Sequence, residues 1–320
     1  MTVELPLTIA AVRDAAKRIA PYVRRTPMMN AASLDGMANG ELLFKCENLQ
    51  RVGAFKARGA ANAVFALSDA DAAAGVATHS SGNHGAALAR AAALRGIPCH
   101  VVVPEGANPV KRAAISRFGA LITDCPPTMA GREEALRAVV ERTCAHVVHP
   151  YADTDVMAGQ GTVALELFED THRFDMLIVP LGGGGLISGC ATVAKALQPD
   201  VTVIGVEPAG AADARDSFHA GAVRPVKNPE TIADGLRATV GEVNLKIIRS
   251  AVDDIVTVTD EEIVAAMRLI WERLKIIVEP SAAVGLAAVL GSALDLDGRR
   301  AAIVLTGGNV DLDHLPWLKS

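Results

Sequence analysis

Lys56 is the residue whose setting first suggests chemistry, because it stands alone in an apolar segment, GAFKARGAANAV at residues 53–64. A desolvated lysine amine has a lowered pKa and can act as a nucleophile or form a Schiff base with an aldehyde. The alternative is an ordinary lysine whose stem packs on apolar surface while the ammonium reaches water. This stretch alone leaves both interpretations open.

Four consecutive glycines, Gly182–Gly185, follow the apolar run MLIVPL and precede a helix-like segment. Bare N–H groups at the start of a helix form an anion site, so the glycines favour a phosphate over a merely tight turn. A dinucleotide is a rival ligand, because Glu207 ends the next strand about 22 residues on, where a ribose-binding acid would lie. However, Ile187 or Ser188 occupies the third glycine position of G-x-G-x-x-G, and no G-K-[ST] follows.

Two further turns carry polar groups where a strand ends. Residues 80–85, SSGNHG, join a strand to a helix, and Thr306 closes another strand before two glycines. Helix capping explains one Ser or Asn in the first turn but not the whole cluster. A lysine amine, a glycine phosphate site, a Ser/Asn turn and a hydroxyl at a strand end together fit pyridoxal phosphate (PLP).

The elements that must position these groups alternate along the chain. Apolar, β-branched runs predict buried strands, and Ala/Leu-rich segments between them predict helices. The runs are GVATHS, CHVVVP, ALITDC, HVVHP, MLIVPLG, VTVIGVE and AAIVLTGG. This order predicts an α/β fold with open, mostly parallel sheets flanked by helices, whose ligand site lies at the carboxyl ends of the strands.

Composition excludes several classes of function. A net charge of −5 and 3% aromatic residues argue against nucleic-acid binding. The five cysteines are odd in number and widely spaced, which predicts reduced core thiols in a cytoplasmic protein. The uncharged stretch Met176–Ala194 contains Pro180 and five glycines, so we expect a strand, a loop and a helix there and no membrane partner. His146 and His149 are three apart in an apparent strand and are expected to face opposite sides.

The motifs ENLQRVGAFKARGAANAV, THSSGNHGAAL, AGQGTVALEL, PLGGGGLISG, ADGLRA, VEPSAAVGLAAV and TGGNVDL resemble the serine racemase and threonine dehydratase family in collinear order. These PLP enzymes have the tryptophan-synthase-β type fold (fold type II). The resemblance implies a large PLP-binding domain of residues 1–66 and 154–320, and a small mobile domain of residues 67–153. It also implies a homodimer.

The resemblance implies a role for each matching residue. Lys56 is the catalytic Schiff-base lysine, and the other cofactor-binding residues are Phe55, Asn83, Gly182, Gly183, Gly184, Gly185, Leu186 and Thr306. Ser80, Ser81, Asn83 and His84 are expected around the substrate carboxylate. Glu207, the Ala211 carbonyl and Asp213 match a divalent-cation segment whose oxygen ligands suit Mg²⁺, Ca²⁺ or Mn²⁺. A solvated acidic loop is the alternative for that segment.

Two positions place the chain within the family. Ser81 stands where biosynthetic threonine deaminases have alanine, and it is expected to serve as a second catalytic group in racemisation. Arg132 is expected either to bind a substrate β-carboxylate or to pair with Glu133 or Glu134 on a helix surface. ATP activation is not expected, because Arg51, Val52 and Ala86 depart from the nucleotide site of the animal racemases. End-product feedback is not expected either, because the sequence matches no regulatory domain.

The sequence therefore predicts an ammonia-lyase that converts L-serine- or L-threonine-type hydroxy amino acids to 2-oxo acids and ammonia. A serine racemase, alone or bifunctional, and a threo-3-hydroxyaspartate ammonia-lyase are the nearest alternatives. A dinucleotide-binding oxidoreductase and a non-catalytic PLP carrier are the alternatives from other classes.

Overall fold

The computed structural model describes residues 6–80, 82–107, 109–171, 173–291 and 293–318, and only the backbone at residues 109 and 110. Its strands are β1 Met28–Met29, β2 Glu41–Cys46, β3 Val76–His79, β4 Cys99–Pro104, β5 Leu121–Cys125, β6 His146–Val147, β7 Met176–Pro180, β8 Thr202–Pro208, β9 Asp254–Val258 and β10 Arg300–Leu305. They form a six-stranded sheet in the order β1-β2-β10-β7-β8-β9 and a four-stranded sheet in the order β5-β4-β3-β6. All pairings are parallel except that between β1 and β2.

Helices connect and cover the strands. They are α1 Ile9–Ile19, α2 Ala32–Ala38, α3 Lys56–Ala66, α4 Asp69–Ala72, α5 Asn83–Arg95, α6 Pro109–Ser116, α7 Met129–Thr143, α8 Thr154–Asp170, α9 Gly185–Leu197, α10 Asp213–Ala220, α11 Glu242–Ala251, α12 Asp260–Leu274 and α13 Pro280–Leu290. The predicted α/β fold of parallel sheets flanked by helices is confirmed.

Strand and helix signals in the sequence explain most of these bounds. Thr8 accepts a hydrogen bond from the Ala11 N–H at the start of α1, as its position before an amphipathic run predicts. The stretch from Met176 divides into β7, a glycine loop and α9 as expected. None of the helices in the described ranges is long and apolar enough to cross a bilayer.

Three strands, β1, β2 and β9, were not predicted. For β2 and β9 the physical reason is clear. Lys45 interrupts the apolar run of β2, yet its ammonium is buried and lies 2.7 Å from Glu166 Oε2. The edge strand β9, Asp254–Val258, is only five residues long, and only Ile255 and Val258 are buried in it. Such pairings depend on long-range contacts that local pattern does not record.

Two local predictions were wrong. Cys144 is exposed rather than in the core, because it ends α7 with a left-handed backbone. The other four cysteines are buried, and all five are free thiols. His149 lies beyond β6, which ends at Val147, so strand alternation does not set its direction relative to exposed His146.

The four-stranded sheet is built entirely from residues 76–147, within the segment predicted to be the small domain. The domain boundaries and the mobility of that segment stay predictions. What matters for the site is that β3, β7 and β10 each end in one of the polar or glycine-rich turns.

Candidate active site

One pocket lies where the carboxyl ends of strands from both sheets face each other. Segments following β3, β7 and β10 line it together with the start of α3, as expected for parallel sheets. Of the predicted site residues, the pocket is lined by Phe55, Lys56, Ser80, Asn83, His84, Arg132, Gly182, Gly183, Gly184, Gly185, Leu186 and Thr306. Ser81 lies outside the described residues. Glu207, Ala211 and Asp213 do not line the pocket.

A short antiparallel bridge brings Lys56 next to the loop after β10. Ala54 pairs with Gly307, and the Phe55 N–H donates to the Thr306 carbonyl at 3.0 Å. Lys56 is then the first residue of α3. The lysine and the strand-end hydroxyl, 250 residues apart in sequence, therefore share one wall of the pocket.

The Lys56 ammonium donates a hydrogen bond to the Pro150 carbonyl, which lies 2.8 Å from Nζ. Its Nζ also lies 5.1 Å from the centroid of the Phe55 ring. Removal of water from this site lowers the pKa of Lys56 to about 8. A lysine with this pKa is partly unprotonated near neutral pH, as a nucleophile or proton acceptor must be.

A buried ion network anchors α3 immediately behind Lys56. The Arg58 guanidinium donates from Nε to Glu47 Oε2 at 2.8 Å and from Nη1 to Glu166 Oε1 at 2.7 Å. Lys45 contributes a second cation to Glu166. Because removing one partner of a buried pair leaves a charge uncompensated, the network holds α3, β2 and α8 in a fixed arrangement.

The glycine turn is a cradle with no room for side chains. A Cβ on Gly183 would lie 2.4 Å from the Tyr151 ring, and Gly184 has φ +92° and would bring its Cβ within 2.8 Å of Asn244 Cβ. The turn leads directly into α9, whose first N–H groups have no partner within the helix. These donors, at the positive end of the helix, suit a phosphate.

The remaining groups offer polar contacts of different kinds. Thr306 Oγ1 is buried with no hydrogen-bond partner among the described residues. Asn83 begins α5, and its amide takes part in a side-chain network described below. His84 Nε2 lies 3.3 Å from the Val148 carbonyl, and burial, aided by the charge of Lys56, holds the pKa of His84 well below its usual value. His84 is therefore neutral at physiological pH.

Arg132 of α7 is half-buried and lines the pocket. Its Nε is buried and has no hydrogen-bond partner in the described part of the chain. The pKa of nearby His79 is lowered first by burial and then by the Arg132 charge. In the ranges that the structure covers, neither Glu133 nor Glu134 forms an ion pair with Arg132.

Glu207 and Asp213 form a separate acidic site at the end of β8. Glu207 accepts hydrogen bonds from the Ala214 and Arg215 N–H groups at 3.1 and 2.8 Å, so it caps α10. Burial, with a contribution from Asp213, raises the pKa of Glu207 to about 8, and burial raises that of Asp213 to about 6. Among the described residues no group of three or more His, Cys, Asp or Glu is close enough to hold a metal ion.

Several pocket residues were missed because no local signal marks them. The Tyr151 ring packs on the glycine turn, and the Tyr151 carbonyl is held by Asn244 Nδ2 at 3.0 Å. Lys111 and Asp234 form an ion pair between α6 and the opposite wall. Glu279 is buried beside Asn83. Glu279 and Asp234 belong to the motifs VEPSAAVGLAAV and ADGLRA, which carried the resemblance but suggested no role for them.

The chain is similar to known PLP-dependent enzymes in both sequence and structure. The family model "Pyridoxal-phosphate dependent enzyme" matches residues 19–307. A β-hydroxyaspartate dehydratase of Paracoccus denitrificans is 48% identical over 301 residues, covering 94% of this chain and 96% of the relative. A serine racemase of Arabidopsis thaliana is 46% identical over 312 residues, covering 96% and 94% respectively. The structure of maize serine racemase superposes with a TM-score of 0.94 at 45% identity, covering 96% of this chain and 95% of that one.

Proposed function

The chain belongs to the pyridoxal-phosphate dependent enzyme family, as its motifs predicted, and we propose that it is an ammonia-lyase for hydroxy amino acids that accepts 3-hydroxyaspartate. The observation that carries the substrate proposal is Arg132, which lines the pocket that contains Lys56 and whose buried Nε has no hydrogen-bond partner among the described residues. A substrate β-carboxylate would supply the missing acceptor. The β-hydroxyaspartate dehydratase activity of a relative supports this choice.

The pocket fits PLP by three features of its own. Thr306 Oγ1 in the pocket wall has no hydrogen-bond partner within the described ranges, and its hydroxyl suits the pyridine nitrogen. Gly182–Gly185 line the pocket with bare backbone at the start of α9, suited to the phosphate. Lys56 has the lowered pKa that bond formation with an aldehyde requires. Dinucleotide binding does not require these three features together. The site therefore gives no support to the oxidoreductase alternative.

When bound, PLP supplies an electron sink that makes the Cα–H of an attached amino acid acidic. Lys56 is then the group that accepts the Cα proton, because its pKa lies close to neutral pH. We expect Arg132 to orient a β-carboxylate, and His84 and Ser80, which line the same pocket, to contact the α-carboxylate. Loss of the Cα proton and the β-hydroxyl as water leaves an enamine, which hydrolyses to a 2-oxo acid and ammonia.

The proposal is tested by a substrate panel. Purified protein with bound PLP is assayed for ammonia and 2-oxo acid release from L-serine, L-threonine, D-serine and the isomers of 3-hydroxyaspartate. We expect one isomer of 3-hydroxyaspartate to give the highest kcat/KM. Release of ammonia from none of these substrates would contradict the lyase proposal.

Serine racemisation is the second candidate, supported by the racemase relatives and by Ser81. If Ser81 protonates the substrate on the face opposite Lys56, Ser81→Ala loses L-to-D conversion and retains elimination from the L-substrate. Chiral chromatography of the product measures this directly. Racemisation that persists in the variant, or L-elimination that is lost with it, would argue against this role for Ser81.

We also propose that Glu207, the Ala211 carbonyl and Asp213 hold a divalent cation, Mg²⁺ or the chemically similar Ca²⁺ or Mn²⁺. The two carboxylates are buried, and their ionised forms are disfavoured without a compensating cation. An oxygen-only ligand set suits these ions. Capping of α10 by Glu207 is compatible with a cation, because each carboxylate oxygen has a second lone pair.

The cation should stabilise the fold. Mg²⁺ at about 100 times its Kd contributes about 2.7 kcal/mol, which raises Tm by a few degrees. We expect this gain in wild type and its loss in Glu207→Gln, with Asp216→Asn as the control that removes an exposed acid from the same segment. Melting curves with EDTA and with Mg²⁺ that coincide for wild type would show that no cation binds here.

The homodimer and a cytoplasmic location are also proposals. Exposed Leu49 and Ile277 lie on neighbouring segments, joined by a hydrogen bond from Asn48 Nδ2 to the Ile277 carbonyl at 3.0 Å, and suit burial in a dimer. Five free cysteines suit a reducing compartment. Light scattering after size-exclusion chromatography measures the oligomeric state.

A further inference from the structure

Glu279 is a buried acid in the pocket wall that none of the roles above uses. It occupies the residue before α13, where an acidic side chain commonly caps the helix, but it makes no side-chain capping bond. Instead Oε1 accepts a hydrogen bond from Asn83 Nδ2 at 2.8 Å. Its Oε2 is buried with no partner in the described ranges. The side chain is thus directed away from its own helix and toward Asn83.

The amide of Asn83 is held at both ends. Its Nδ2 donates to Glu279, and its Oδ1 accepts from Asn309 Nδ2 at 2.8 Å. Asn309 Nδ2 is itself fixed by the Val52 carbonyl at 2.7 Å. A flipped Asn83 amide would place its oxygen against a carboxylate and its NH₂ against another NH₂. Glu279 and Asn309 together therefore permit only one orientation.

This orientation determines what Asn83 can offer to a ligand. An amide has two N–H donors and one oxygen; here Asn309 uses the oxygen and Glu279 uses one donor. The donor that remains is one N–H, beside the second lone pair of Oδ1. We propose that Glu279 and Asn309 are positioning residues that present this N–H of Asn83 to the ring oxygen of PLP. The inference rests on PLP occupying the pocket as proposed above.

The loop that carries Thr306 is shaped around the same carboxylate. The Glu279 N–H donates to the Gly307 carbonyl at 3.0 Å. A Cβ at Gly307 would lie 2.4 Å from Glu279 Oε1, so only glycine leaves room for the side chain. The carboxylate of Glu279 thus lies between the turn after β3 and the loop after β10, the two segments expected to contact the ring.

Burial disfavours the ionised form of Glu279. Burial raises its pKa to about 7, while Lys111 and the hydrogen bond from Asn83 oppose the rise and Asp234 adds to it. A carboxyl with a raised folded-state pKa contributes stability that is fully present below its ordinary value of 4.5 and is lost as pH rises through about 7. The ionised Glu279 carboxylate therefore stabilises the fold less than the neutral form does.

A double-mutant cycle tests the inference by PLP binding. Wild type, Asn83→Ala, Glu279→Ala and the double variant are stripped of PLP and titrated with it, with absorbance and fluorescence as readouts. Loss of one oriented hydrogen bond should weaken binding by about tenfold in Asn83→Ala. We expect Glu279→Ala to lose nearly as much, and the double variant to bind within about twofold of Asn83→Ala, because Glu279 acts through Asn83.

If the losses of PLP affinity in the two single variants multiply in the double variant, the inference is overturned. Glu279→Gln is the matched variant, because it keeps an acceptor for Asn83 and should bind PLP within about threefold of wild type. A second double-mutant cycle pairs Asn83→Ala with Asn309→Ala, because Asn309 holds the oxygen of the Asn83 amide. This cycle is used if Glu279→Ala does not fold. Wild type that takes up no PLP would instead contradict the proposed function.

Stability without cofactor gives an independent readout. The stripped Glu279→Gln variant should melt at a higher temperature than stripped wild type at pH 8, and the difference should disappear toward pH 5. A higher melting temperature in the variant is expected if the buried carboxylate positions a ligand group and does not stabilise the fold. A Gln variant that is less stable than wild type at pH 8 would show that the carboxylate stabilises the fold, and would count against the inference.

Discussion

Lys56→Ala abolishes both covalent attachment of PLP and turnover of every hydroxy amino acid. The reason is that Lys56 supplies the amine for attachment and the base for the Cα proton, and its lowered pKa suits both. We expect kcat to fall by about 10⁴-fold or more, at the upper end of what positioned proton transfer contributes. Absorbance of bound PLP and ammonia release are the measurements.

Lys111→Ala is the matched control, because Lys111 also lines the pocket but its ammonium is already paired with Asp234. That variant should retain covalently attached PLP. Full dehydratase activity in purified Lys56→Ala would contradict the assignment of Lys56. Loss of covalent PLP in Lys111→Ala, with retention in Lys56→Ala, would show that PLP is attached to Lys111 and not to Lys56.

Arg132→Met changes substrate preference. If the Arg132 guanidinium binds a β-carboxylate in the closed pocket, its loss costs about 2–5 kcal/mol, or roughly 30-fold to several thousand-fold in kcat/KM. We expect this loss for 3-hydroxyaspartate and less than about tenfold for L-serine, which has no second carboxylate. Steady-state kinetics with both substrates measure the ratio.

Arg237→Met is the control for a second arginine in the same pocket. Its Nε and Nη2 donate to the Thr231 carbonyl, so its hydrogen bonds are committed to the backbone. Its loss should affect the two substrates alike. Equal losses for both substrates in Arg132→Met would give Arg132 a structural role and remove the main support for 3-hydroxyaspartate.

The sequence was sufficient to predict the fold class and the segments that meet in the pocket. Buried strands ending in polar or glycine-rich turns are local patterns, and parallel strands place such turns at one edge. The glycines at 182–185 were informative because nothing but a close ligand or neighbour requires so much bare backbone. Lys56 stood out because a charge is unusual in its apolar segment.

The residues that the sequence did not assign depend on contacts between distant segments. Glu279 lies 196 positions from Asn83, yet the two side chains are hydrogen-bonded. Lys111 and Asp234 are 123 apart and belong to opposite walls of the pocket. Each of these residues reads locally as an ordinary helix-end or surface charge, and only the packing of the two sheets defines its partner.

Borohydride reduction followed by peptide mapping tests the central proposal most directly. The reduction fixes PLP to the amine that holds it, and mass spectrometry of a protease digest locates the modified residue. We predict a single phosphopyridoxyl group, on Lys56, formed with loss of the visible absorbance. A modified lysine elsewhere in the chain, or a protein that carries no PLP before reduction, would contradict the proposal.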